Sequence, residues 1–163
     1  MSDGAVRWLT ILTATGAALV GGVLFAFSTF VMRALDSLPA PDGIAAMQAI
    51  NRDAPNPLFM AALFGTGLAF VVLAVSRFRQ PGPAAVPIVA CLLYAATLLL
   101  TVAYHVPRND ALAAIDPHAA GSAAFWSDYV SSWTAWNSVR AATAIASAVV
   151  VLTSLRGSSS TTG

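Results

Sequence analysis

The chain has 163 residues, of which 58% are apolar and only 9% charged, whereas a soluble domain carries about 25% charged residues. That balance is a membrane protein's, and a net charge of +1 without a basic stripe excludes an electrostatic nucleic-acid binder. All eight basic side chains are Arg and all seven acidic ones Asp, so the Glu and Lys pairs of a solvated helix surface are missing.

Charges divide the sequence into four apolar stretches. The first, Trp8 to Met32, holds 25 uncharged residues, where about 20 suffice to cross a hydrocarbon core. It is too long for the apolar region of a cleaved signal peptide and reads as a retained span. Ala14, Ala18, Gly22 and Ala26 recur at intervals of four along it, a small-residue face that lets another helix approach closely.

The connection over 33–56 contains Asp42 as an expected helix cap. In the following GIAAMQAINR, the residues Ile44, Met47, Gln48 and Asn51 fall on one helical face. Half of that face is apolar and half amide. It fits either a short amphipathic helix lying on the headgroups or a lid over the bundle mouth with Gln48 and Asn51 pointing inward.

The second span runs from Pro57 to Ser76, with Asn56 placed to cap it and Pro57 at the first helical position. The third runs from about Pro83 to His105. It contains the only cysteine, Cys91, read as packing, so one chain can form neither a disulfide nor a thiolate metal cluster. Thr97, Thr101 and His105 stand at intervals of four, and Pro107 is expected to push Val106 out of helical geometry and end the helix near His105. In the connection over 106–132, His118 has no periodic context and reads as a loop residue.

Only 15 residues separate Arg140 from Arg156, about 22 Å of helix and too short to span. The fourth span therefore starts no later than about Trp133 and runs to about residue 155, placing Arg140 inside it. At 100° per residue, Trp126, Tyr129, Trp133, Trp136, Asn137 and Arg140 share an arc of about 100° if the helix is continuous from about residue 125. A stripe with a deep arginine is expected to face the bundle. The fold expected is thus all-α: an integral membrane four-helix bundle with two longer connections on one side, the first carrying the short amphipathic helix. Residues 157–163 are expected to form a disordered tail. Arg7, Arg77, Arg79 and Arg156 crowd the short loop and tails, which favours a plasma (inner) membrane protein with both termini in the cytoplasm.

The segments VLFAFSTFVMRALDSLP, AMQAIN, NP, TVAYHVPRNDAL and WSDYVSSWTAWNSVR, in this order over almost the whole chain, resemble the anthrone oxygenase-like family of small four-helix membrane proteins. The matching elements are Phe27-Ser28, Asn51, Pro107 with Asn109, and Trp133, Trp136, Asn137 and Arg140. The resemblance implies oxygen insertion without a flavin or haem, since characterised relatives oxidise an anthrone to an anthraquinone. The family often has Asn where this chain has His105, so that histidine's role does not come from the resemblance.

The chemistry needs a base and a stabiliser of negative charge, because a deprotonated polycyclic phenol passes an electron to dioxygen. His105 is the candidate base, with Arg140, Asn137 and Asn109 to hold the anion. Trp133, Trp136, Tyr129 and Trp126 offer flat surfaces for substrate. Gln48, Asn51 and Ser28 offer polar contacts, and Arg33 and Arg108 add positive potential near the mouth. No cofactor is expected. A metal site would have to combine His105, His118 and a loop aspartate, as no histidine has a ligand partner at i+3 or i+4. The expected partners are the bilayer, a hydrophobic aromatic molecule with dioxygen, and a second copy in a homo-oligomer. A binder of flat lipophilic molecules, or an accessory subunit with Arg140 on a lateral surface, is the competing class.

Overall fold

The computed structural model describes residues 1–78 and 85–155, and within this range the chain is helical without strands. Four helices are long and apolar enough to cross a membrane, over Asp3–Asp36, Pro57–Ser76, Ala85–Ala113 and Ser122–Thr153. Pro83, Arg79, Arg156 and the expected disordered tail lie outside the described residues.

Span 1 starts at Asp3 because the Ser2 side chain accepts from the Ala5 N–H. It comprises α1 (Asp3–Ala26), a π turn over Phe27–Val31 and α2 (Met32–Asp36). Next comes α3 (Ala40–Asp53), which begins after Pro39 rather than at Asp42. Asp42 lies in its first turn, where an acid suits the positive helix pole. Span 2 is α4 (Pro57–Phe78), with the Phe59 N–H donating to Asn56 Oδ1 at 2.9 Å. Span 3 comprises α5 (Ala85–Leu100), a second π turn over Thr101–His105 and α6 (Val106–Ala113). Span 4 is the 32-residue α7 (Ser122–Thr153).

The expected helix end near His105 is not observed, and the chain stays helical to Ala113. A proline in an α-helix strikes the carbonyl four residues back and removes a hydrogen bond. Here the Val106 N–H reaches back five residues to the Thr101 carbonyl, so the helix is already widened where Pro107 enters. The proline is therefore absorbed by the π turn and starts α6.

Helix α7 begins after Gly121, whose φ of 91° is left-handed and open to glycine without penalty. At 1.5 Å per residue it is about 48 Å long, well beyond a hydrocarbon core of about 30 Å. Its excess length forms the spine of a cap over one end of the bundle.

Span 1 packs on spans 2 and 4, and span 3 on the same two, closing a four-sided bundle. Lipid is as apolar as the side chains, so close approach and hydrogen bonds hold such helices together. The approach of spans 1 and 4 uses Gly21, where an added Cβ would lie 2.8 Å from Ile145 Cγ1. Ala14 and Ala17 are buried there, but Ala18 and Gly22 are exposed, so the expected interval-of-four stripe is only partly the packing face. Tyr94 donates to the Leu63 carbonyl at 2.9 Å, tying span 3 to span 2. Thr97 and Thr143 hydroxyls meet at 2.8 Å, tying span 3 to span 4. Cys91 packs at the edge of this core.

Above it, Met32, Ile44, Met47, Leu112, Trp126, Tyr129 and Trp133 form the core of the cap. Helix α3 is folded into this cap against α2, α6 and α7, so its apolar face is covered by protein, not by lipid headgroups. Gln48 donates from Nε2 to the Leu112 and Ile115 carbonyls, each at 2.9 Å, fastening α3 to the end of α6.

Candidate functional site

Beneath the cap lies a cavity of about 640 Å³, within the range of ligand pockets. Every span contributes to its wall: Leu24 and Phe27 from span 1, Phe59, Met60 and Leu63 from span 2, His105 and Asn109 from span 3, and Trp133 and Arg140 from span 4. Asn51 and Met47 close it from α3. The lining is mostly apolar; among its polar side chains are His105, Asn109, Asn51 and Arg140, with Thr101, Asp53 and Asn56 besides.

His105 is 2% exposed. Its Nδ1 is 3.0 Å from the Leu100 carbonyl, an atom that only accepts, so Nδ1 carries the proton and Nε2 is left as the basic nitrogen of a neutral ring. That Nε2 is buried without a partner. The π turn makes this geometry possible, because the widened turn brings a carbonyl five residues back within reach of the ring. Edge-on contact with Trp133, at 5.1 Å between centroids and 83°, fixes the ring from the other side.

Arg140 is 5% exposed, its Nε is buried without an acceptor, and the ion pair among the described residues is a different one, Arg108 with Asp128. An unpaired guanidinium inside a span is costly, and such residues mark sites. Asn51 Nδ2 is a further buried donor without a partner. The cavity therefore offers a cation, a free amide donor and a basic imidazole nitrogen around an apolar chamber walled by Trp133 and Phe27, whose rings lie 5.8 Å apart.

The other expected residues take supporting places. Asn109 accepts on Oδ1 from Tyr129 Oη at 2.8 Å and Trp133 Nε1 at 2.9 Å, which orients the tryptophan wall. Asn137 donates to the Leu24 carbonyl at 2.7 Å and to Ser28 Oγ at 2.8 Å, locking span 4 to span 1 beside the first π turn. Neither Asn137 nor Ser28 lines the cavity. Trp126 and Tyr129 stack at 5.7 Å within the cap core. Arg108 reaches Asp128 and Ser132 across the Phe125 and Tyr129 rings, outside the chamber. Arg33 is exposed and His118 lies in a turn, its N–H donating to Asp116 Oδ1.

Trp136 differs most from the stripe. It is 45% exposed and meets Tyr104 on the outside of the bundle, 5.5 Å between centroids. It occupies one edge of the helical arc, roughly 50° from its centre, so its ring turns outward. Among the described residues no group of three or more His, Cys, Asp or Glu is gathered as a metal site. Phe59, Met60 and Leu63 were not foreseen, because span 2 is apolar all round and offers no phase by which an inner face is recognised.

Four helices long and apolar enough to span a membrane close over a chamber with a buried imidazole and an unpaired guanidinium, the outline of a polytopic membrane protein with a candidate internal site. The family model for anthrone oxygenase matches residues 47–150, and the chain belongs to that family. The match takes in α3 from Met47 onward and every cavity residue of spans 2, 3 and 4, while span 1 lies before it. Comparison with curated proteins and with solved structures gives no match.

Proposed function

We propose that the protein is a cofactor-independent oxygenase that converts a flat phenolic, anthrone-type or quinol substrate with dioxygen in the capped cavity. The supporting observation is the pairing, on one cavity, of the free Nε2 of His105 with the unpaired guanidinium of Arg140, in a chain of this family. His105 Nε2 takes the proton from the substrate, and Arg140 with the Asn51 amide holds the resulting anion. The anion passes one electron to dioxygen, giving a substrate radical and superoxide in the same chamber. Their recombination forms the carbon–oxygen bond of a hydroperoxide, which takes up a proton and loses water to leave a carbonyl. For an anthrone, one methylene and one dioxygen thus become one carbonyl and one water, whereas a quinol, which has no methylene, gives up its second electron and proton to superoxide and leaves as quinone with hydrogen peroxide. Trp133, held by Asn109, packs against Phe27, and the two form one aromatic wall on which the planar rings lie.

Arg140 on an inner wall weighs against the accessory-subunit reading, which needs it on a lateral surface. Residence in the plasma membrane with cytoplasmic termini, and self-association, belong to the same proposal. The test is oxygen uptake with an anthrone in detergent, on folded wild-type protein and on the variant with His105→Ala and Arg140→Ala. Wild-type uptake that the double substitution abolishes, from colourless metal-free protein, is the expected result. Uptake unchanged by both substitutions overturns it.

A further inference from the structure

Some residues that line the cavity also face outward. Val102 in the second π turn is 57% exposed, Val106 one turn later 46%, and Phe64 on the neighbouring span 2 is 49%. A side chain that both lines a chamber and is open to the surroundings stands at an opening in its wall. All three are apolar and lie on helices long and apolar enough to cross a membrane, which makes hydrocarbon the medium that suits them. The gap has a cause in the packing. The cap leans on α7, with α3 set against α2, α6 and α7, while the first turns of α4 stand clear and Leu58 is 84% exposed. Separately, Asp53 and Asn56 line the cavity where α3 joins α4, giving that edge a polar rim.

We infer that the cavity is loaded sideways from the bilayer, through a window framed by Phe64, Val102 and Val106, by a planar amphiphile dissolved in the hydrocarbon in its neutral, protonated form. The inference rests on the reading of the cavity as a substrate site. A preformed anion crosses an apolar frame only at a cost of several kcal/mol. A neutral phenol meets no such barrier, and its hydroxyl finds its first acceptor at His105 Nε2, which lies between Val102 and Val106 in sequence but turns to the interior. Charge is then created only beside Arg140. Substrates too polar to enter the membrane are excluded by the window rather than by contacts in the chamber.

Trp133 reports on the window, being a cavity wall that is otherwise 5% exposed. A protein with Trp8, Trp126 and Trp136 replaced by Phe keeps it as the single tryptophan, excited apart from the tyrosines at long wavelength. Reconstituted into phospholipid brominated in the upper acyl chain, it is expected to lose emission relative to unbrominated lipid, because chains reach the open cavity. Adding Val102→Phe and Val106→Phe narrows the frame and should restore the emission. Absence of quenching in the single-tryptophan protein, or quenching that the two phenylalanines leave unchanged, overturns the lateral window. Oxygen uptake in detergent stands apart from both results, so a protein that oxidises an anthrone but shows no lipid quenching loses the window and keeps the reaction.

Discussion

Replacing Arg140 by Met should make the protein more stable and less able to bind an anion. The guanidinium is 5% exposed, its Nε has no acceptor, and the ion pair among the described residues is made elsewhere. A cation within a span costs about 2.5–3.5 kcal/mol on insertion scales, and removing an uncompensated buried charge recovers part of that, so a gain of about 1–3 kcal/mol is expected. A ligand oxyanion about 4 Å from the guanidinium gains about 4 kcal/mol at an effective dielectric of 20, which sets the upper limit on the affinity lost. With partial solvation the loss is about 2–4 kcal/mol, or roughly 30- to 700-fold in affinity. Stability is read from unfolding in mixed micelles of increasing SDS fraction, and affinity from the absorption of a bound hydroxyanthraquinone anion. A variant destabilised by more than about 1 kcal/mol would show that Arg140 has a structural partner and is not an unpaired cation.

Asn109→Leu strands Tyr129 Oη and Trp133 Nε1 together, which should cost about 2–4 kcal/mol in the same unfolding assay and shift Trp133 emission. Gln48→Leu leaves the Leu112 and Ile115 carbonyls without their side-chain donor. It should speed amide exchange in the connection after α6 and cost about 1–3 kcal/mol. Gly21→Val places a Cβ 2.8 Å from Ile145 Cγ1 and should destabilise by about 1–3 kcal/mol, whereas Gly22→Val meets nothing within 4 Å and should be near neutral. Equal effects at the two glycines would contradict the packing of spans 1 and 4.

The four spans were legible because a membrane demands long apolar runs, and the burial of Arg140 was legible because span length left it no other place. The phase of α7 brought Trp133, Asn137 and Arg140 to its inner side, since 100° per residue holds along an unbroken helix. Trp136 shows the limit of such an arc: at its edge, the ring's own direction decides which side it takes. The continuation through Pro107 was not legible, as the rule for residues before proline describes regular helix, and only the atoms of Thr101–His105 reveal a widened turn. Nor was the split of polar roles. Asn137 and Ser28 bond across helices, and Gln48 spends its amide on two carbonyls, pairings between distant stretches that no local spacing encodes.

The two π turns also bear on how this chain tolerates changes of length. Each holds one residue more than an α-helix would need, so the helix beyond it is rotated by about 100° relative to an uninterrupted one. Deleting one residue from Phe27–Val31 would restore a plain helix and leave Met32 at its place in the cap core, whereas closing that turn to α geometry without a deletion would swing it out. The same deletion in Thr101–His105 would keep Asn109 facing Tyr129 and Trp133 but would leave Pro107 to strike an α-helical carbonyl. Single-residue deletions are thus absorbed at Phe27–Val31 and harmful at Thr101–His105, although both turns lie in stretches of similar apolar composition.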